Sequence, residues 1–193
     1  MASVDLVVIG LGNPGDQFRR TRHNVGADTI EVLAGRHRAK LRVEKGLYCA
    51  SDVINIGGKR MVIAIPTTYM NESGLAAVAL MKRFDIEAPQ LVIVHDELDL
   101  APAVVKLKVG GGLAGNNGLR SVKAHVKTED FLRIRIGIGK PVSKEQGVNH
   151  VLNKFSKRER EEIDVAINLA ADGAEAILAN GIDAAMNEYN TAR

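Results

Sequence analysis

A histidine near the start of the chain and a group of carboxylates further along are the residues best suited to chemistry. His23 stands at the start of a predicted helix, and Asp96, Glu97 and Asp99 follow a predicted buried strand at residues 90–94. An imidazole that a carboxylate orients can remove a proton from water. No serine or cysteine lies in a nucleophile-elbow pattern. These residues therefore predict direct attack by water rather than a covalent intermediate.

Asparagines recur at the points where predicted strands end or predicted helices begin. They are Asn13, Asn24, Asn71, Asn116 and Asn117. Ligands of open α/β sheets bind outside the strand ends, so these loops are expected to share one site. Their amides could hold a carbonyl or donate to a developing oxyanion. Asparagine is also a common cap, and Asn24 and Asn71 each precede a predicted helix, so capping explains either of them equally well.

The first loop, residues 10–15 (GLGNPG), matches the G-x-G-x-x-G pattern of dinucleotide-binding proteins. In that motif a helix begins among the glycines, because its N-terminus holds the pyrophosphate. Residues 16–22 carry no apolar stripe, and the amphipathic pattern starts only after His23. The sequence therefore favours a tight loop that lets the backbone approach a substrate and presents Asn13.

Length and composition are typical of one globular domain. The 193 residues are 46% hydrophobic and 25% charged, with a net charge of +3, so we expect one domain spanning residues 1–193. The single cysteine, Cys49, allows no disulfide within the chain and suits a reducing compartment. No apolar run approaches the ~18 residues of a membrane span, and no signal peptide is visible. We therefore expect a cytoplasmic protein that does not enter the membrane.

Strand and helix patterns predict an α/β fold, a single domain with a mixed twisted sheet and helices on both faces. Short apolar or alternating runs predict strands at residues 6–9, 52–56, 60–65, 90–94, 104–109 and 131–138. Apolar residues at helical spacing predict helices at residues 24–38, 75–84, 117–126, 157–178 and 182–189. Gly57-Gly58, between two of the strands, is typical of a hairpin turn.

Six segments together resemble the bacterial peptidyl-tRNA hydrolase family. They occur in the family's order with similar gaps and lie within residues 6–139. The segments are residues 10–15 (GLGNPG), 21–26 (TRHNVG), 66–74 (PTTYMNESG), 95–100 (HDELDL), 110–112 with 117–119 (GGG and NGL) and 133–139 (RIRIGIG). Each motif alone has low specificity, whereas six in order are highly specific.

The resemblance implies an esterase that hydrolyses peptidyl-tRNA to free peptide and tRNA. It implies that His23 is the general base and that Asp96 supports the basic form of the imidazole. It also implies a monomer that needs no cofactor and no metal. The sequence itself also predicts no metal site, because His95-Asp96 lacks companion ligands at a useful spacing.

The resemblance also assigns residues to the substrate. Asn13 would help to distinguish peptide-bearing tRNA from free aminoacyl-tRNA. Tyr69, Asn71 and Asn117 would contact the peptide and the 3′ end of the tRNA. Each of these assignments is carried over from the matching motif.

Two positions depart from the family's pattern. Phe18 stands where the family usually has tyrosine, so a hydroxyl contact is lost while stacking on a base remains available. Asn116 stands where histidine is common, so a titratable group is lost beside Asn117.

Basic residues recur on two predicted strands. Lys106 and Lys108 share one strand face, and Arg133 and Arg135 share a face of another, while Arg19, Arg20 and Arg22 lie by the first loop. We expect Lys106, Lys108 and Arg135 to contact tRNA phosphates. Scattered charges that only confer solubility are the alternative.

Two other classes of function compete with the esterase. One is a non-catalytic RNA-binding scaffold on the same fold, and the other is a protein that binds a nicotinamide cofactor. A scaffold does not need His23, Asp96 and Asn13 together, so their joint presence favours the enzyme. Peptidyl-tRNA is accordingly the expected partner.

Overall fold

The computed structural model describes residues 3–191, which form one seven-stranded mixed sheet with the strand order β2-β3-β4-β1-β5-β7-β6. The strands are β1 (Leu6–Gly10), β2 (Arg42–Glu44), β3 (Cys49–Ile56), β4 (Lys59–Pro66), β5 (Leu91–Glu97), β6 (Val105–Val109) and β7 (Leu132–Gly137). β4, β1, β5 and β7 run parallel to one another, whereas β2, β3 and β6 are antiparallel to their neighbours. Four parallel strands therefore end at the same edge of the sheet.

Residues 3–191 form six α-helices, most of which cover the two faces of this sheet. They are α1 (Val25–Arg36), α2 (Gly74–Phe84), α3 (Asn117–Val126), α4 (Gly147–Leu152), α5 (Lys157–Asn180) and α6 (Ile182–Tyr189). Buried residues of α1, α5 and α6 pack on one face, and those of α2 and α3 pack on the other. The expected α/β fold class is thereby confirmed. Within the described range, no helix is long and apolar enough to cross a membrane.

Local sequence explains most of these elements. The central strands β1 and β5 are buried along their whole length, as continuous apolar runs predict. The hairpin between β3 and β4 turns at Gly57 and Gly58, whose φ angles of 58° and 83° suit glycine. The start of α5 is set by a capping box between Ser156 and Glu159.

Three features differ from the sequence expectations. β5 runs on to Glu97, so Asp96 belongs to the end of the strand rather than to a following loop. The sequence patterns missed β2, because its three residues are all exposed. They also missed α4, whose six residues include none that is buried and so carry no apolar stripe.

A close crossing of α1 with the two central strands positions the first loop. A Cβ at Gly26 in α1 would overlap the carbonyl oxygen of Val94 in β5 and crowd the backbone nitrogen of Leu11. The nitrogen of Leu11 in turn donates to that Val94 oxygen at 3.0 Å. Glycine therefore lets the start of α1, and His23 just before it, come close to the end of β5.

Candidate functional site

A cleft of about 230 Å³ lies at the carboxyl end of β5. His23 and Asp96 form its floor, and Asn116 and Asn117 lie on one wall. The other wall is the N-terminal turn of α4 and the residues around it. The turn before α1, the end of β5, the start of α3 and α4 therefore meet at one place, as expected for an open α/β sheet.

His23 and Asp96 form a buried hydrogen-bonded pair across this floor. Nδ1 of His23 lies 2.9 Å from each carboxylate oxygen of Asp96. The side chains are only 10% and 2% exposed. A carboxylate accepts, so Nδ1 must carry the proton, and the lone pair of Nε2 is then the basic site. Nε2 has no hydrogen-bond partner among residues 3–191 and is available to a water molecule.

The pair alters the acid–base behaviour of the imidazole. Burial by itself disfavours the charged form of His23 and lowers its pKa. The negative charge of Asp96 and the hydrogen bond to it act in the opposite direction. Together they outweigh burial, so the pKa of His23 is raised above its ordinary value of 6.5. Asp96 therefore makes the imidazole a stronger base than an isolated one.

Asn116 holds the carboxylate of this pair. Its Nδ2 donates to Oδ1 of Asp96 at 3.2 Å, and its Oδ1 accepts from the nitrogen of Leu119 at 3.1 Å. The residue thus caps α3 and fixes Asp96 at the same time. The position that departs from the family pattern retains a polar role without a titratable group.

Asn13 is fixed from two sides. Its Oδ1 accepts from the nitrogen of Met70 at 2.7 Å, and its backbone nitrogen and carbonyl bond the side-chain amide of Asn24 at 2.9 Å each. Nδ2 of Asn13 therefore remains as a free donor, since no described residue accepts from it. Asn24 makes no side-chain capping bond to α1. Its role is to hold Asn13, which resolves the alternative left open by the sequence.

Phe18, Tyr69 and Asn71 form an accessible polar and aromatic group beside the loop. The rings of Phe18 and Tyr69 meet edge to face, with centroids 6.5 Å apart and an interplanar angle of 87°. Tyr69 is 56% exposed, and Asn71 is also exposed. Ser73, not Asn71, occupies the capping position of α2, so capping does not explain Asn71.

Asn117, at the first position of α3, faces the cleft with an exposed side chain. Its Oδ1 accepts from Nη1 of Arg120 at 3.3 Å. Its Nδ2 has no partner in the described part of the chain. Asn13 and Asn117 are thus two amide donors that a substrate could use.

Lys106, Lys108 and Arg135 lie together on one face of the β6–β7 ladder. Lys106 is paired with Arg135 across the ladder, and Lys108 with Arg133. Lys106 donates to the carbonyl of Asn190 at 2.8 Å, which anchors its stem against the C-terminal segment. The three residues are half-buried and form one basic row.

Arg133 is buried and is not part of this accessible row. Its guanidinium donates to the carbonyls of Gly111, Gly112 and Glu129. It also stacks on Phe131, with 4.7 Å between the guanidinium carbon and the ring centroid. Arg133 therefore holds the glycine-rich loop that leads to α3.

β5 places its neighbouring polar side chains on the opposite face from Asp96. Glu97 lies 3.8 Å from Arg135 of the basic row, with which it forms an ion pair. His95 is fully buried, and burial lowers its pKa to about 4, so it stays neutral at physiological pH. Among the candidate carboxylates, only Asp96 reaches His23.

Two further observations bound the chemistry. Between residues 3 and 191, no group of three or more histidine, cysteine or acidic side chains could hold a metal ion.

A larger recess of about 780 Å³ lies between α1 and α5, and Asn13 lines this recess rather than the cleft of His23 and Asp96. It contains neither His23 nor Asp96, and the ion pair between Arg160 and Asp28 spans it at 3.0 Å. The smaller cleft is therefore the candidate active site.

Comparison with known proteins agrees with this site. The model of the peptidyl-tRNA hydrolase family matches residues 7–193. The peptidyl-tRNA hydrolase of Rhodococcus erythropolis is 42% identical over 190 residues, 98% of this chain and 100% of that protein. That of Mycolicibacterium gilvum is 43% identical over 182 residues, 94% of this chain and 95% of that protein.

Solved structures lead to the same family. The crystal structure of peptidyl-tRNA hydrolase from Acinetobacter baumannii is 37% identical to this chain and superposes with a TM-score of 0.93. The match covers 100% of this chain and 99% of that one. By its sequence over nearly the whole length and by its fold, this chain belongs to the peptidyl-tRNA hydrolase family.

Proposed function

We propose that His23, oriented by Asp96, is the general base with which this chain hydrolyses the ester bond of peptidyl-tRNA. The proposal rests on the orientation of the His23 ring relative to Asp96. Both oxygens of Asp96 bond Nδ1, so the basic Nε2 is left for a water molecule. Membership of the peptidyl-tRNA hydrolase family indicates that the substrate is peptidyl-tRNA.

The reaction follows from this arrangement. Nε2 of His23 takes a proton from water as the water oxygen attacks the ester carbonyl. The carbonyl π electrons move to its oxygen, and a tetrahedral oxyanion forms. When the intermediate collapses, the bond to the ribose oxygen breaks, and the imidazolium returns its proton to that oxygen. Free peptide and tRNA leave, and the base is regenerated.

Two amides support the charge that develops on the substrate. Nδ2 of Asn117, which lines the cleft, and Nδ2 of Asn13, which lines the recess between α1 and α5, are free donors, and preorganised donors of this kind stabilise an oxyanion. We assign Asn13 to the first peptide carbonyl beyond the ester, which free aminoacyl-tRNA lacks. The bonds to Met70 and Asn24 keep that donor in place before the substrate arrives.

The tRNA moiety would lie along the accessible residues around the cleft. An unpaired base could stack on the exposed ring of Tyr69 or on the half-buried ring of Phe18 beside it. Asn71 lies beside them and would contact the peptide or the 3′ end. Lys106, Lys108 and Arg135 are assigned to backbone phosphates, which they would bind through charge and without reading sequence.

The test is release of peptide from N-acetyl-aminoacyl-tRNA by purified protein. We expect His23→Ala to lower kcat by about 10²–10⁴-fold, the usual contribution of a positioned general base. Binding of uncleaved substrate should change little. His125→Ala, a change at an exposed histidine of α3, is the matched control. Near-normal turnover in His23→Ala would remove His23 from the role of base.

The alternative of a non-catalytic RNA-binding scaffold is not favoured. A scaffold has no use for a buried imidazole–carboxylate pair, and the relatives compared above are hydrolases. We propose further that this chain works as a cytoplasmic monomer. Within this chain His23, Asp96, Asn116 and Asn117 already line one cleft, which supports a monomer.

A further inference from the structure

Arg22, the residue directly before His23, is tied to the segment that follows α4. Its Nη1 donates to the carbonyl of Lys154 at 3.2 Å and reaches those of Asn153 and His150 at 3.4 and 3.5 Å. Its backbone nitrogen donates to Asn153 at 3.0 Å. The side chain is only 12% exposed, so Arg22, in the turn just before α1, is not a free surface charge.

Two further contacts fix the plane of this guanidinium. Nη2 lies 3.5 Å from Oε2 of Glu159 in the first turn of α5. The guanidinium carbon lies 4.9 Å from the centroid of the Phe155 ring. A planar fork that bonds several carbonyls while stacking on a ring is a task for arginine and not for lysine.

The helix that precedes this segment forms a wall of the cleft. Gly147, Val148 and Val151 of α4 line the same cleft as His23 and Asp96. Contacts at the C-terminal end of α4 therefore influence the width of the cleft at its N-terminal end, since the helix is only six residues long.

α4 has few other anchors. None of its residues is buried, and Val148 is 69% exposed. The imidazole of His150 lies 3.1 Å from the carbonyl of Gly139, which ties one side of the helix to the end of β7. With so little apolar burial, this wall is held largely by polar contacts, which include those of the Arg22 guanidinium, the backbone bond from Arg22 to Asn153 and the bridge between Thr21 and Lys154.

We propose that Arg22 is a positioning residue for the hydrolysis: it holds α4 at a set distance from the imidazole of His23 and so defines the width of the cleft. The peptide bond between residues 22 and 23 makes the tether direct. The guanidinium then adds to the backbone contacts of residues 21 and 22 in placing the catalytic base relative to this wall. This inference rests on the proposed role of His23.

The test compares Arg22→Gln and Arg22→Lys with Arg158→Gln. Arg158 lies on α5 with a side chain that is 92% exposed, so it controls for loss of a nearby charge. We expect Arg22→Gln to lower kcat/KM by about 10- to 100-fold, the scale of an ångström of misplacement. Arg22→Lys keeps the charge but not the planar guanidinium, so its kcat/KM should lie between those of Arg22→Gln and the unaltered protein. The kcat/KM of Arg158→Gln should equal that of the unaltered protein.

Two readouts separate positioning from a general loss of structure. Amide hydrogen exchange should quicken in residues 147–154 and stay unchanged in β1 and β5. The acid limb of the pH profile should not move, because the pair between His23 and Asp96 is intact. Thermal unfolding of the same variants reports whether the fold as a whole survives.

Three outcomes would overturn the proposal. In the first, kcat/KM of Arg22→Gln equals that of Arg158→Gln. In the second, the acid limb shifts, which would mean that Arg22 acts on the imidazole and not on α4. In the third, exchange in residues 147–154 is unchanged. If Arg22→Gln does not fold, Arg22→Lys is judged by the same criteria. Failure of the unaltered protein to release peptide would reject the proposed function instead.

Discussion

Nδ1 of His23 lies 2.9 Å from both carboxylate oxygens of Asp96, in a setting where the carboxylate is almost completely buried. Burial opposes a charge on the imidazole, and the carboxylate more than compensates, so the pKa of His23 is raised. The base must be neutral to act. Activity should therefore rise with pH through a pKa above 6.5, as an acid limb of kcat/KM.

Asp96→Asn should move this acid limb to lower pH. The substitution keeps the size of the side chain but removes the charge, which leaves burial as the main influence and lowers the pKa of His23. Turnover on the plateau should fall by less than in His23→Ala, and the double variant should lose no more than His23→Ala alone, because the pair acts as a unit. The measurement is the profile of kcat/KM against pH, and an acid limb at the same pH in Asp96→Asn as in the unaltered protein would contradict this account.

The same pair makes the stability depend on pH. Because the pKa of His23 is higher in the folded state than the ordinary 6.5, the charged pair stabilises the fold fully below about pH 6.5. That contribution is lost as the pH rises through the folded-state pKa. In urea unfolding between pH 5 and pH 9, the stability of the unaltered protein should therefore fall as the pH rises, and this fall should vanish or reverse in Asp96→Asn, in which burial lowers the pKa of His23.

Asn13→Ala should narrow the preference for N-blocked over free aminoacyl-tRNA. The amide would bond a peptide carbonyl that only the blocked substrate has, and one such bond contributes about 1 kcal/mol, or roughly 5-fold in the ratio of the two kcat/KM values. Asn55→Ala, at an exposed asparagine on β3, is the control. An unchanged ratio would show that Asn13 does not read the peptide.

Alanine at Lys106, Lys108 or Arg135 should flatten the salt dependence of tRNA binding. Each lost phosphate contact should reduce the slope of log binding constant against log salt by about 0.7–0.9. The effect should fall on KM, with kcat at saturation nearly constant, because these side chains lie away from His23. Lys82→Ala, at the end of α2, is a control at the opposite edge of the sheet. A slope unaltered in Lys106→Ala/Arg135→Ala would leave these residues as solubility charges.

Two glycines of α1 should respond in opposite directions to alanine. Gly26→Ala places a methyl group against the carbonyl of Val94 and should destabilise the fold by about 1–3 kcal/mol. Gly35→Ala meets no atom within 4 Å and should stabilise it by about 0.4–1 kcal/mol through the unfolded state. Denaturant unfolding measures both, and equal effects would refute the close crossing of α1 with β5.

Periodicity determined most of the fold, and motif order supplied the candidate site residues. Continuous apolar runs predicted the buried strands, and helical spacing predicted α3 and α6 to the residue. The motifs brought His23, Asp96 and Asn13 into one hypothesis because their order and gaps are specific. The sequence could go this far because burial on one face or two leaves a local pattern in the residue types.

The partners of those residues were decided only by the tertiary structure. Asn24 holds Asn13 instead of capping α1, and Arg22 holds the segment after α4 instead of facing solvent. Arg133 is buried under the glycine-rich loop although it alternates with Arg135 in the sequence. A polar side chain carries no local signal for the distant carbonyl that it will bond. That choice is made when strands and loops far apart in the sequence converge.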